Sequence, residues 1–248
     1  MSKSENNIFI YGRNPIIEAL TNRPNEVEKV FLKNSLQLNS IDGLSDLISK
    51  NSIPVSKVPP IKIQNLVGRV NDQGIVALLS QIKYTDFFDW VAELDLAANP
   101  AVIFLDGIED PHNFGAILRT AAAAGIAAVI VPTQKQSPVN ATVFKTSSGT
   151  AGRIPIIRVH DINQGLKDLE LAGFDVFALE GGAGSSFWET DFTKPTAFLI
   201  GNEGDGISTA TLKRASKTLK IPMVNNVESL NASVSAALIC YEWARKRS

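Results

Sequence analysis

Apolar and polar positions along this chain switch repeatedly between two periods. Some short runs are apolar throughout, as in strands buried on both faces, and the stretches between them repeat every three to four residues, as in helices. The segment VIFLDGIEDPHNFGAILRTAAAAGIAAVIVP, residues 102–132, shows both. It predicts a strand over 102–105, a polar loop over 106–113, a helix over 115–124 stopped by Gly125, and a second strand over 127–131. Such a β-α-β unit places Asn113 and Arg119 beyond the carboxyl end of a strand, where open parallel sheets carry their sites.

Upstream, the pattern predicts a helix over 12–20, a strand over 27–32, a helix over 41–50, a strand over 53–58, a short helix over 61–66 and a strand over 75–80. These form a small α/β domain spanning 1–81. Residues 82–100 are too aromatic for a free linker, with Tyr84, Phe87, Phe88 and Trp90, and predict a connector packed on the larger domain. The larger domain, 101–248, continues with a helix over 139–148, a strand over 154–159, a helix over 162–171 and strands over 174–179 and 196–200. A glycine-rich strand exit follows over 201–206, then a polar helix through 212, a strand over 220–224, a loop over 225–230 and a closing helix over 231–247. Alternation of this kind implies a mainly parallel sheet covered on both faces.

Composition narrows the chemistry. With 248 residues, 44% of them hydrophobic, the chain can bury a large core. One cysteine and two histidines rule out an intrachain disulfide framework and a protein-only Cys/His metal cage, so no metal is expected. Cys240 falls on the apolar face of the closing helix and reads as core. The polar amino terminus and the lack of an apolar run of about 18 residues leave secretion and membrane spanning without support, so a cytoplasmic protein is expected. A formal net charge of -1 confines any nucleic-acid contact to local patches, such as Lys213, Arg214, Lys217 and Lys220, or Arg245 to Arg247.

The glycine-rich exit GNEGDG is not followed by Gly-Lys-Ser or Gly-Lys-Thr. It also comes late in the chain, not after the first strand, which argues against a phosphate-binding Walker loop and a dinucleotide fingerprint. A nicotinamide-dependent enzyme is therefore disfavoured.

Three motifs in order resemble those of the SPOUT superfamily, specifically the SpoU family of RNA ribose 2'-O-methyltransferases, and among them the bacterial 23S rRNA guanosine 2'-O-methyltransferases. They are DPHNFGAILRT from Asp110 to Thr120, LIGNEGDG from Leu199 to Gly206, and Ile221-Pro222-Met223 followed by SLNASV from Ser229 to Val234. Gly12, Glu18-Ala19-Leu20 and Gln73-Gly74 resemble the substrate-binding domain of the rRNA enzymes, with Asp72 standing where that family commonly has histidine. The resemblance implies a carboxyl-terminal trefoil-knotted domain behind a smaller ribosomal-protein-like domain. It also implies S-adenosylmethionine as cofactor, structured RNA as partner, 23S rRNA first, and a homodimer.

Carried over by position, the resemblance puts Gly201, Ile221, Leu230, Gly206 and Met223 around the cofactor. It puts Arg119, Asn113, Glu203 and Asn231 at the catalytic centre, and Ser229, Arg13 and Gln73 against the RNA. The residue chemistry agrees, because glycines admit a ligand to the backbone and Ile221 and Leu230 can sandwich a flat base. A guanidinium at Arg119 can grip a phosphate bidentately and stabilise alkoxide character at the adjacent oxygen, whereas its own deprotonation is costly. Asn113, Asn231 and Ser229, taken alone, also read as helix caps. A tRNA ribose methyltransferase and a non-catalytic RNA-binding or ribosome-assembly protein are the alternatives.

Overall fold

The computed structural model describes residues 8–80, 84–202, 204–225 and 227–247. Two compact units emerge, one containing residues up to 83 together with 139–153, the other 84–138 and 154–248. Residues 139–153, inside the range expected for the larger domain, thus group with the first unit.

In the first unit, strands β1 (Ile8–Tyr11), β2 (Val27–Lys33), β3 (Val55–Val58) and β4 (Ile75–Leu79) form a sheet in the order β1-β4-β2-β3. The strand β4 runs antiparallel to both neighbours, and β2 and β3 are parallel. Helices α1 (Arg13–Asn22), α2 (Leu44–Lys50) and α3 (Pro60–Val67) complete the sandwich. Ile16 and Leu20 on α1, Leu44 on α2, Ile63 on α3 and Val30, Leu32, Ile75 and Ala77 of the sheet are all without exposed surface. The edge strand β1 extends the predicted set.

Asp72 proves to be structural. It is nearly buried, and its Oδ1 accepts from the Gly74 N–H at 2.7 Å and pairs with Lys33 Nζ at 2.8 Å. The turn it holds leads directly into β4 and requires left-handed backbone at Gln73 (φ 53°) and Gly74 (φ 82°). An anion at this position therefore closes a turn from inside the unit.

Among the described residues the second unit is built on seven strands: β5 (Ala101–Asp106), β6 (Ala128–Pro132), β7 (Ile156–Val159), β8 (Asp175–Leu179), β9 (Ser185–Ser186), β10 (Thr196–Gly201) and β11 (Lys217–Lys220). Their order is β7-β6-β5-β10-β8-β11-β9, and every pairing is parallel. The helices are α4 (Phe87–Glu93), α5 (Pro111–Ala123), α6 (Ala141–Thr146, in the first unit), α7 (Ile162–Leu171), α8 (Thr209–Leu212) and α9 (Ala232–Arg245).

Strand residues alternate between two cores because successive side chains point to opposite faces. Val102, Phe104, Ile130, Val176 and Leu199 share one core with Phe87 and Trp90 of α4 and Leu166 and Leu169 of α7. The opposite face carries the packed pair α5 and α9. The aromatic connector is thus a short helix on the sheet, started by Asp86, whose side chain accepts from the Phe88 and Asp89 N–H groups.

Two boundaries differ most from the sequence expectation. The late strand lies at 217–220, not 220–224, because Leu219 is the one fully buried side chain of the segment and sits between β8 and β9, leaving 221–224 as loop. Helix α5 begins at Pro111, four residues before the expected start, with Asp110 accepting from the His112 N–H and Pro111 supplying a fixed helical φ.

Truncating the turn anchor tests this fold. Asp72→Ala is expected to lower stability by about 1–3 kcal/mol at neutral pH, since it leaves a buried N–H and Lys33 without their acceptor. Burial alone would raise the Asp72 carboxyl, but the Lys33 and Gly74 hydrogen bonds and the Lys33 charge together hold it below its ordinary value. Its contribution is therefore present above the ordinary carboxyl range and fades as pH falls through the depressed folded value. Urea denaturation of both proteins, at neutral pH and again below about pH 3, should show the gap between them closing in acid.

Candidate active site

The site lies where β5 and β10 end side by side. Gly201 pairs in register with Asp106, so the loops that follow the two strands emerge together at the carboxyl edge of the sheet. The β5 loop turns at Gly107 (φ 81°) and leads into α5. The β10 loop folds back on itself. Asn202 Oδ1 accepts from the Gly204 and Asp205 N–H groups at 2.9 and 2.7 Å, and its carbonyl accepts from the Gly206 N–H at 3.2 Å. A Cβ on Gly201 would sit 2.6 Å from Gly206 O and from Ile207 N, so only glycine permits this return.

Between this loop and the segment before α9 lies a cavity of about 470 Å³. Gly201, Gly206, Ile221, Met223 and Leu230 all line it, and so does Ser229. The structure therefore brings together the five residues expected around a cofactor, from three separate stretches of chain. Glu180, Gly181, Ile200 and Asn202 line it as well and were not anticipated. The Glu180-Gly181-Gly182 exit of β8 was the signal available for them, a third strand end with glycines.

Asn113 and Asn231 meet. Asn231 Nδ2 donates to Asn113 Oδ1 at 3.1 Å, while its own Oδ1 accepts from the Ser233 and Val234 N–H groups and caps α9. One side chain therefore both caps α9 and meets Asn113. Asn113 is not a cap, because α5 has already begun two residues earlier. Ser229 makes no cap either, lying on the loop that lines the cavity.

Arg119 stands exposed on α5, one turn beyond the buried Gly115, and no described carboxylate pairs with it. It is not among the residues lining the cavity. Glu203 lies outside the described residues. Arg13 and Gln73 are joined in the first unit, where the Arg13 N–H donates to Gln73 Oε1 at 2.7 Å. Cys240 is fully buried on α9, and burial pushes its thiol up to about 12, which makes it inert packing. The carboxyl-terminal cations are largely committed, with Lys246 Nζ donating to the Trp188 and Thr190 carbonyls and Arg247 to that of Asn99. Among the described residues no cluster of ligating side chains suits a metal, and no helix is long and apolar enough to cross a membrane.

A parallel sheet flanked by helices, with glycine-rich loops converging on one cavity, defines a nucleotide-type α/β enzyme architecture. Residues 100–241 match the SpoU rRNA Methylase family, and residues 9–85 match the RNA 2'-O ribose methyltransferase substrate binding family. The chain belongs to the SpoU rRNA methylase family. It is 33% identical over 246 residues to the 23S rRNA (guanosine-2'-O-)-methyltransferase RlmB of Xylella fastidiosa, covering 99% of both chains. It is 35% identical over 242 residues to a Staphylococcus saprophyticus chain assigned to the TrmH family of tRNA/rRNA methyltransferases, covering 97% of this chain and 96% of that one. The SpoU methyltransferase AviRb of Streptomyces viridochromogenes, solved in complex with AdoMet, shares the fold at a TM-score of 0.81 and 23% identity, covering 97% of this chain and 90% of that one. The two-domain architecture is thus that of the knotted SPOUT fold.

The loop closure can be tested alone. Gly201→Ala is expected to force Gly206 and Ile207 away from the strand end and to cost about 1–3 kcal/mol of stability. Gly204→Ala, where the nearest atom to a new Cβ is Asn202 Oδ1 at 3.6 Å, should be near neutral. Urea midpoints of the two variants distinguish the positions.

Proposed function

We propose that this protein methylates the 2'-hydroxyl of a ribose in 23S rRNA, a guanosine, using S-adenosylmethionine. The observation that carries the reading is the cavity at the β10 exit that gathers Gly201, Gly206, Ile221, Met223 and Leu230, together with the joined Asn113 and Asn231. Its volume lies in the range of cofactor pockets. Ile200, Ile221 and Leu230 offer apolar walls for a flat base, and Gly201 and Gly206 keep the backbone free of side chains where a ligand must approach. Residues 221–223 and 228–230 stand outside any strand, so backbone groups there suit reading a base edge. When bound, S-adenosylmethionine supplies an electrophilic methyl group on a sulfonium.

The chain's own residues must orient the acceptor and stabilise the charge that develops on its oxygen. Arg119 suits that charge, since its guanidinium remains protonated and its fork holds a phosphate and a neighbouring oxygen together. Asn113, held by the Asn231 amide, suits a role in positioning the ribose. Glu203, on the glycine-rich loop, fits as the carboxylate that aligns Arg119. Ser229, Arg13 and Gln73 suit contacts to the RNA.

A homodimer completes this reading. Trp188, Val234 and Tyr241 are 42%, 45% and 56% exposed and line an apolar groove along α9 with Ala237 and Leu238. Arg119, outside the cavity of its own chain, would then serve a centre shared between subunits. Light scattering at micromolar concentration should return twice the 26.8 kDa chain mass, and Tyr241→Asp should shift it toward one chain.

Single-turnover methyl transfer to a 23S rRNA fragment tests the roles. Arg119→Ala should slow transfer by about 100-fold while S-adenosylmethionine affinity, measured by calorimetry, changes little. Leu230→Asp should reverse the pattern and chiefly weaken cofactor binding, by placing a charge against the base. Ribose-methylation mapping of total RNA from a strain lacking the gene decides between rRNA and tRNA. Failure to bind S-adenosylmethionine even with RNA present would favour a non-catalytic RNA-binding protein.

A further inference from the structure

A second cleft, of about 500 Å³, opens on the other side of the β10 loop, at the carboxyl ends of β5, β6 and β7. Asn202, Asp205 and Gly206 line both this cleft and the cofactor cavity, so the loop is a shared wall. The remaining lining includes Asp106, Lys135, Asp161 and Asn163.

Its chemistry is selective. Asp106, Asp161, Asp205, Lys135 and His160 line it, with Asp161 Oδ1 already accepting from the Gln164 N–H, and the excess of carboxylates disfavours a phosphate and favours a ligand presenting clustered N–H donors. Asp106 is half-buried, and burial raises its carboxyl, opposed by one hydrogen bond from the Ser208 N–H and by the Lys135 charge. A carboxylate has about four acceptor positions, so Asp106 keeps capacity for further donors. Asn163 Oδ1 is buried with no donor among the described residues, a condition that buried polar atoms rarely tolerate. Lys135 is exposed yet sits in left-handed backbone (φ 52°), and its carbonyl would lie 3.1 Å from any Cβ on Gly107, so the lysine is held against the β5 exit. Guanine matches this set. Its N1–H and 2-amino group form a parallel donor pair for one carboxylate, and its O6 accepts from an ammonium.

Resting on the methyltransferase reading, we propose that this cleft receives the base of the acceptor nucleotide and selects guanine. Asp106 accepts from N1–H and the 2-amino group, Asn163 Oδ1 accepts the remaining amino hydrogen, and Lys135 donates to O6. The loop between the two cavities then holds the ribose near the cofactor while the base is read on its far side.

The experiment is single-turnover transfer to three rRNA fragments that carry guanosine, inosine or adenosine at the mapped acceptor position. Inosine lacks only the 2-amino group, and adenosine also lacks O6 and N1–H. The wild-type protein should prefer guanosine over inosine by about tenfold, because the missing amino group leaves buried acceptors unpaired. Asp106→Asn, which can still accept from Ser208, should bring the guanosine-to-inosine ratio toward one with cofactor affinity intact. Lys135→Met should slow the guanosine and inosine fragments together and reduce their advantage over adenosine. Should Asp106→Asn fail to bind cofactor or to fold by circular dichroism, the exposed Lys135 variant decides the matter. Equal wild-type rates on guanosine and inosine, base ratios unchanged in the variants, or a mapped acceptor other than guanosine would overturn the assignment while leaving the methyltransferase reading standing. No transfer to any RNA would overturn that reading and this one with it.

Discussion

The close return of the chain at Gly201 governs this protein. A strand buried on both sides ends, and within five residues its backbone lies against itself, at a distance that excludes even a methyl group. Asn202 fastens the return through both its side chain and its carbonyl. Because Gly201 is in register with Asp106, the same turn fixes the spacing between the β10 loop and the entry to α5. The cavity, the second cleft and the placement of Asn113 all depend on that one geometry.

The second organising contact lies on the helical face. Helices α5 and α9 are far apart in sequence, yet they pack together, α9 against β10 and α5 against β6. At their amino ends Asn231 caps α9 and donates to Asn113, so the contact sets the relative position of the two helix starts. Fully buried Phe114, Ile117, Leu118, Ala236 and Cys240 hold the helices where that hydrogen bond can form. Packing thus supplies the precision, and the polar pair uses it.

Much of this was legible in the residues. Strands β5 and β10 are continuous apolar runs, and α7 spans 162–171 as its periodicity predicts. The five residues expected around a cofactor share one cavity because their motifs sit at strand exits, and a parallel sheet gathers strand exits on one edge. What pattern could not give was pairing. The segment 217–220 is strand because its neighbours in space need a partner, although its lysines argue against it and the apolar 221–224 looks better alone. The two-residue strand β9 is too short to leave a period. Asp72 stands where the family commonly has histidine, and only the turn around it shows that it works inward.

Backbone hydrogen exchange with and without S-adenosylmethionine tests the central claim most directly, because it reports where the ligand sits without requiring turnover. The structure predicts slowed exchange confined to residues 180–181, 200–207 and 221–232, with the small amino-terminal sheet unchanged. Saturating ligand that leaves those segments at their free rates, or that protects another surface instead, would contradict the assignment of the β10 return as the cofactor site.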